Sequence, residues 1–216
     1  MPTPSSLSKR NRRPPEGYVE VGRWSLEQAS VREQLLAVLV GLVAFFASLS
    51  ATSFIVGART GSDEVTIDGG TFLLGLLVGL VLGVILHESV HGVFFLAFGG
   101  WPRFGFKPWT RFGPVFYAAA PGSYLNRPQY LAAGLAPAIV LTAVLAAALT
   151  FLAGDDLLVS VVTWAFVLNV AGSAGDMIMM FKVMSYPCAI RFEDTGEGFI
   201  AYGPVDGEPQ KQMDPI

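Results

Sequence analysis

Cysteine is almost absent, with Cys188 alone among 216 residues. One thiol cannot close an internal disulfide, and it excludes any cysteine-rich zinc site. Charge is also scarce, at 14% of residues, and no basic stripe is present that could follow a phosphate backbone, so no nucleic-acid partner is expected. Histidine is scarcer still, with two in the whole chain. Apolar residues fill the space: 52% are hydrophobic and the mean hydropathy is +0.52, too high for an ordinary soluble domain of this length. The composition is that of an integral membrane protein.

Four apolar stretches carry the excess, at residues 35–56, 71–98, 130–153 and 157–181. Each reaches the roughly 20 residues that a helix needs to cross a hydrocarbon core of about 30 Å. The expected fold is therefore all-α, a four-transmembrane-helix bundle with a short β-hairpin or interfacial loop after the second helix. The turn Gly154-Asp155-Asp156 is so short that the last two helices must be antiparallel neighbours. The basic N-terminal arm is not followed closely by a short apolar run and a small-residue cleavage site, so it does not read as a signal peptide and is expected to be retained. Ser25 followed by Gln28 predicts a capping box and a helix start at Ser25; a basic arm disordered up to Arg32 is the competing reading. The domain expectation is a basic arm over 1–24, a membrane domain over 25–184 and a C-terminal tail over 185–216. In that tail, 189–192 and 198–202 predict a small hairpin to which no chemistry is assigned.

Thirteen of the fourteen lysines and arginines fall in the arm, the 99–129 loop and the tail, leaving Arg59 on the opposite side. The positive-inside rule then predicts a multi-pass protein of the cell membrane with both termini and the 99–129 loop cytoplasmic. That loop is rich in aromatics, glycine and proline, and 103–106 and 115–118 predict a hairpin around 107–113. Two roles are open to it: an interfacial anchor for the helices, or an edge strand with which an extended peptide pairs.

Both histidines lie in the stretch His87-Glu88-Ser89-Val90-His91, inside the second apolar segment. Residues four apart on a helix share a face one turn apart, so the two imidazoles can hold one metal. Glu88 sits beside them as a general base, giving the HExxH arrangement of zinc peptidases. The alternative is a chance pair of structural histidines. Within the four segments the only carboxylates are Glu88 and Asp176. Charges in such segments are costly unless paired, which makes them functional candidates. Counting at 1.5 Å per residue, Asp176 lies within a turn or two of the histidines in depth, so it is the candidate third ligand. Asn169, Ser173 and Asp176 form one polar stripe, which either lines the site or only hydrogen-bonds a neighbouring helix. Gly75, Gly79 and Gly83 continue in the same four-residue series into His87 and His91, either as a dedicated docking face or as general helix packing; Gly172 and Gly175 could do the same on the last helix.

With these residues in place, HESVHG on a membrane helix, an aromatic loop, the proline-bearing LAPAIV and a final helix with an aspartate resemble the site-2-protease-like membrane metallopeptidases. The chain is most similar to their small four-helix zincin subgroup of bacteria and archaea, and the likeness runs from about residue 17 to 202. The pattern departs from the Asn-x-x-Pro-x-x-x-x-Asp-Gly element of site-2 proteases: Asn169 precedes Asp176 by seven positions, no proline intervenes, and Met177 follows the aspartate. No PDZ-like insertion is present.

The functional expectation is a Zn²⁺-dependent, membrane-embedded metalloendopeptidase. Its metal ligands are His87, His91 and Asp176, its catalytic base is Glu88, and Asn169 is a candidate for the oxyanion or substrate. Membrane-associated proteins or peptides are the expected substrates, cleaved near the cytoplasmic face, with the lipid bilayer as the second partner. The competing classes are a non-catalytic metal-binding membrane scaffold and a transporter with a midplane metal site; for the latter, four spans are few and no internal repeat is visible.

Overall fold

The computed structural model describes residues 14–61, 68–110, 113–152 and 155–205. Lys9, Arg10, Arg12 and Arg13 of the basic arm, Gly154 of the predicted turn and the acidic residues beyond 205 lie outside the described residues. The chain is mostly helical. Among the described residues four helices are long and apolar enough to cross a membrane: α1 (Val31–Thr60), α2 (Gly69–Ala97), α3 (Arg127–Phe151) and α4 (Asp156–Met184). They begin a few residues outside the apolar runs because their caps are polar. Ser30 and Glu33 form a capping box before α1, and Asn126 and Gln129 form another before α3. Asp68 accepts from the first amides of α2, and Asp155 accepts from the Leu158 amide at the start of α4.

The helix start expected at Ser25 is corrected. Residues Tyr18–Ser25 form a strand, β1, and the Ser25 side chain makes no cap hydrogen bond. Ser30 offers the same capping-box spacing, with Glu33 three residues on, closer to the apolar run, while Val19, Val21 and Trp24 belong to an extended segment that pairs with β6 (Gly198–Pro204). The sheet so formed is antiparallel in the order β1-β6-β5-β4, with β4 at Leu125–Asn126 and β5 at Arg191–Asp194. The all-α expectation is thus extended by a small sheet that joins the two ends of the described chain. The hairpin after α2 is present as β2 (Arg103–Thr110) and β3 (Gly113–Ala119), with Phe106 opposite Phe116. Lys107 reaches Glu197 at 2.5 Å, and Tyr117 packs on Gly196, so the hairpin is fastened to the β5–β6 turn.

Two apolar cores result. One lies between α3 and α4 around Leu145, Leu149, Phe166 and Val167; the other lies under the sheet around Phe95, Tyr130, Met180, Phe192 and Phe199. Much of the outer surface of α1 and α2 remains apolar and exposed, as at Val43, Phe54 and Leu77. In water such a surface would be a liability, whereas lipid tails match it.

The glycine series of α2 is a docking face. A Cβ on Gly75 would collide with Ser160, one on Gly79 would lie 2.7 Å from the Val161 carbonyl oxygen, and one on Gly83 would lie 3.3 Å from Ala165 Cα, all on α4. This contact brings the two helices close enough for side chains one and two turns further along to meet. Gly172 and Gly175 do not act this way. A Cβ at either meets nothing within 4 Å, because both open onto a cavity.

Gly79→Ala forces its methyl against a backbone oxygen that cannot rotate away, and should cost about 1–3 kcal/mol. Gly172→Ala adds a methyl in open space and removes a helix-interior glycine, so it should be neutral or stabilising by up to about 1 kcal/mol. Thermal melts of both variants in detergent check the contrast; equal shifts would refute the docking role of Gly79.

Candidate metal centre

Helix α2 presents His87 and His91 one turn apart, with ring centroids 5.0 Å apart and the rings steeply inclined. Beyond the glycine contact, α4 brings Asp176 against both. Its Oδ2 lies 3.1 Å from His87 Nε2 and 3.5 Å from His91 Nε2, and one donor atom from each residue lies within 4.8 Å of the others. A tetrahedral zinc site with bonds of about 2.0–2.1 Å has ligand atoms roughly 3.3 Å apart. The two measured separations bracket that edge.

Each histidine is held from behind. His87 Nδ1 lies 2.9 Å from Asn169 Oδ1, and His91 Nδ1 lies 2.8 Å from the Ala133 carbonyl oxygen on α3. Acceptors at both Nδ1 atoms favour a proton there, which would leave both Nε2 atoms to ligate a metal beside Asp176. Two imidazole nitrogens and one carboxylate oxygen, with a fourth direction open to a cavity, suit zinc in its catalytic pattern of three protein ligands. His87, His91 and Asp176 would therefore hold the ion.

Glu88 is not part of this triplet. Its carboxylate faces the backbone amide of Ala118 on β3 and lines the same cavity as the histidines. The cavity measures about 510 Å³ and is bounded by α1, α2, α3, α4, β3 and the β5–β6 turn. Because β3 pairs only with β2 among the described strands, its second edge is unpaired, and residues 115–118 run along the cavity wall.

The polar stripe on α4 divides by role. Asn169 is buried and faces two neighbours: Oδ1 toward His87, and Nδ2 toward the Pro137 carbonyl oxygen at 3.1 Å and Thr142 Oγ1 at 2.9 Å. Ser173 donates back to the Asn169 carbonyl at 2.8 Å, where the helix is interrupted before Asp176. Such back-bonding bends helices. Ser173 therefore shapes the helix and does not face the cavity chemistry.

Sequence reasoning missed three residues here. Tyr130 is fully buried on α3 and donates to Asp194 Oδ2 at 2.7 Å, and Asp194, Tyr130 and Glu197 all line the cavity. Both acids come from the tail, where a small hairpin was expected without chemistry: Asp194 ends β5 and Glu197 stands in the β5–β6 turn. Nothing local marks them as inward-facing, since the long-range pairings of this hairpin with β4 and β1 set it against the cavity.

Asp194 also accepts from the Gly196 amide at 2.7 Å. Burial is the largest influence on its carboxyl and pushes it up to about 6 against these hydrogen bonds. A carboxyl raised in this way keeps its proton in the folded state where the unfolded chain has already lost it. Its favourable contribution is complete below the ordinary value of 3.8 and is lost as pH rises through about 6. Asp194→Asn cannot titrate, so it should gain thermal stability relative to the parent between about pH 4 and pH 7. Melting curves across that range provide the check, and parallel curves would remove Asp194 as the titrating group.

Among known proteins, a family model described as "Putative zincin peptidase" matches residues 80–190. The match covers half of the chain and contains His87, Glu88, His91, Asn169 and Asp176. Comparison with curated proteins and with solved structures finds no match.

Proposed function

The chain belongs to this zincin peptidase family, and from that premise we propose that it is a zinc-dependent metalloendopeptidase embedded in the cell membrane, cleaving peptide bonds of membrane-associated proteins near the cytoplasmic face. The observation that carries the reading is the convergence of His87, His91 and Asp176, with Glu88 beside them, on one cavity. The distribution of lysine and arginine supports cytoplasmic termini.

Zinc, when bound, supplies Lewis acidity that polarises the scissile carbonyl and lowers the pKa of an attacking water to about 7. Glu88 takes one proton from that water as its oxygen bonds to the carbonyl carbon. As the C–N bond breaks, Glu88 returns the proton to the leaving nitrogen. The free edge of β3 offers backbone groups that can align an extended peptide across the site. Asn169 serves in this scheme by orienting His87, because its amide protons are directed at Pro137 and Thr142 and away from any substrate oxygen. A non-catalytic scaffold would have no need of a base aimed into an open cavity.

Glu88→Gln keeps the shape and the ligands but removes the base. Zinc content should stay at the parental level while cleavage of a quenched fluorescent transmembrane peptide falls by at least about 10²-fold. Retained cleavage would take Glu88 out of the mechanism. A parent protein that binds zinc stoichiometrically and cleaves no peptide of a broad panel would favour the scaffold.

A further inference from the structure

Pro137 stands in the middle of α3 with helical backbone angles, φ −62° and ψ −41°. Proline has no N–H, and its ring crowds the carbonyl four residues earlier. That carbonyl belongs to Ala133, which loses its ordinary helical partner. Ala133 is 0% exposed, so water cannot replace that partner. A buried backbone acceptor must be satisfied by something. Here the group that comes to it is Nδ1 of His91, at 2.8 Å.

The second effect of Pro137 lies on its other side. The helix widens into a π turn over Pro137–Leu141, and the Pro137 carbonyl, bonded to the Thr142 amide, also accepts from Asn169 Nδ2. The two ends of an asparagine amide are alike in shape, and their assignment follows from their partners. A hydroxyl such as Thr142 Oγ1 can donate or accept, but a carbonyl oxygen only accepts. Pro137 therefore directs the NH₂ of Asn169 toward α3 and the Oδ1 toward His87. This puts the proton of His87 on Nδ1 and its lone pair on Nε2.

We propose that Pro137 is the positioning residue of the metal centre: by breaking the hydrogen-bond ladder of α3 it sets the tautomer of both histidines, His91 through the freed Ala133 carbonyl and His87 through Asn169. The proposal rests on the reading that His87, His91 and Asp176 hold a metal. It assigns a task to a residue that touches neither the ion nor the substrate. An ordinary α-helix in its place would have closed the Ala133 carbonyl onto the amide of residue 137, and His91 would have had to share that acceptor with a helical amide.

The test is titration of Co²⁺, with its ligand-field absorption as the readout, into metal-free full-length protein in detergent, comparing the parent, Pro137→Ala, Thr142→Val and His87→Ala. Pro137→Ala restores an N–H that competes for the Ala133 carbonyl, so Co²⁺ affinity should fall about 10–100-fold, the range for lost outer contacts of metal-bound histidine. The melting temperature of the metal-free variant should hold or rise, because alanine suits a helix interior better than proline. Thr142→Val leaves the Pro137 carbonyl in place and should change affinity by no more than a few-fold. A merely structural proline would show the opposite, a lower melting temperature with affinity unchanged. Parental affinity in Pro137→Ala, with binding abolished in His87→Ala, would overturn the positioning role and leave the metal reading intact; failure of the parent itself to bind would overturn both. Should Pro137→Ala not fold, ¹⁵N NMR of the zinc-loaded parent decides: both imidazoles protonated at Nδ1 and coordinated through Nε2 support the assignment, and either ring coordinated through Nδ1 overturns it.

Discussion

A carboxylate placed in an apolar helix needs a partner, and Asp176 has two. Its Oδ2 stands close to both His87 and His91, and much of the molecule serves that meeting. The glycines of α2 allow α4 to approach, and the interruption at Ser173 sets the turn on which Asp176 lies. The acceptors Asn169 and Ala133 hold the two rings from behind. Ionisable groups in such surroundings are costly alone and tolerable in company. The polar centre is thus self-consistent: each Nδ1 has its acceptor, and the ion that the three groups would hold would complement the Asp176 carboxylate and both Nε2 atoms.

Around this centre the fold joins two kinds of packing. The helices expose apolar faces suited to lipid, while the sheet encloses a compact aromatic cluster of Trp24, Tyr130, Tyr186, Phe192 and Phe199. Tyr130 bridges the two, because its ring stacks in the sheet cluster and its hydroxyl reaches Asp194 at the cavity wall. Next to it, the fully buried Glu193 accepts from the Gly122 amide and the Tyr202 hydroxyl, so the loop after β3 is fastened to the last strands. The cavity therefore has one wall of apolar helices and another of sheet and hairpin.

Features written in short-range periodicity were legible in the sequence. The four apolar segments, the pairing of His87 with His91 and the hairpin near 103–118 each depend on residues a few positions apart. The meeting of Asp176 with the histidines was also legible, because two scarce kinds of residue lay at matching depths. The sheet was not. β1 pairs with β6 across most of the chain, and no local pattern records that register. The misplaced start at Ser25 has the same origin, since a Ser-x-x-Gln box and a strand end look alike until the partner strand is known. Asp194 and Glu197 were hidden for a related reason: in a polar tail an acid reads as solvated, and only the sheet turns these two inward. Gly172 and Gly175 share the spacing of true docking glycines, yet what decides their role is whether a neighbour stands opposite.

The pairing of β1 with β6 also has a meaning in time. Of the described strands, β1 leaves the ribosome first and β6 last, with all four helices between them. Throughout that interval β1 has no partner in its own sheet, and the wall formed by the β5–β6 turn does not yet exist. In the nascent chain His87, His91 and Asp176 are therefore all present on their helices while the chamber around them is still open on one side. Completion of the chamber coincides with the end of elongation through β6, which separates the moment at which the helices are complete from the moment at which a finished site first exists.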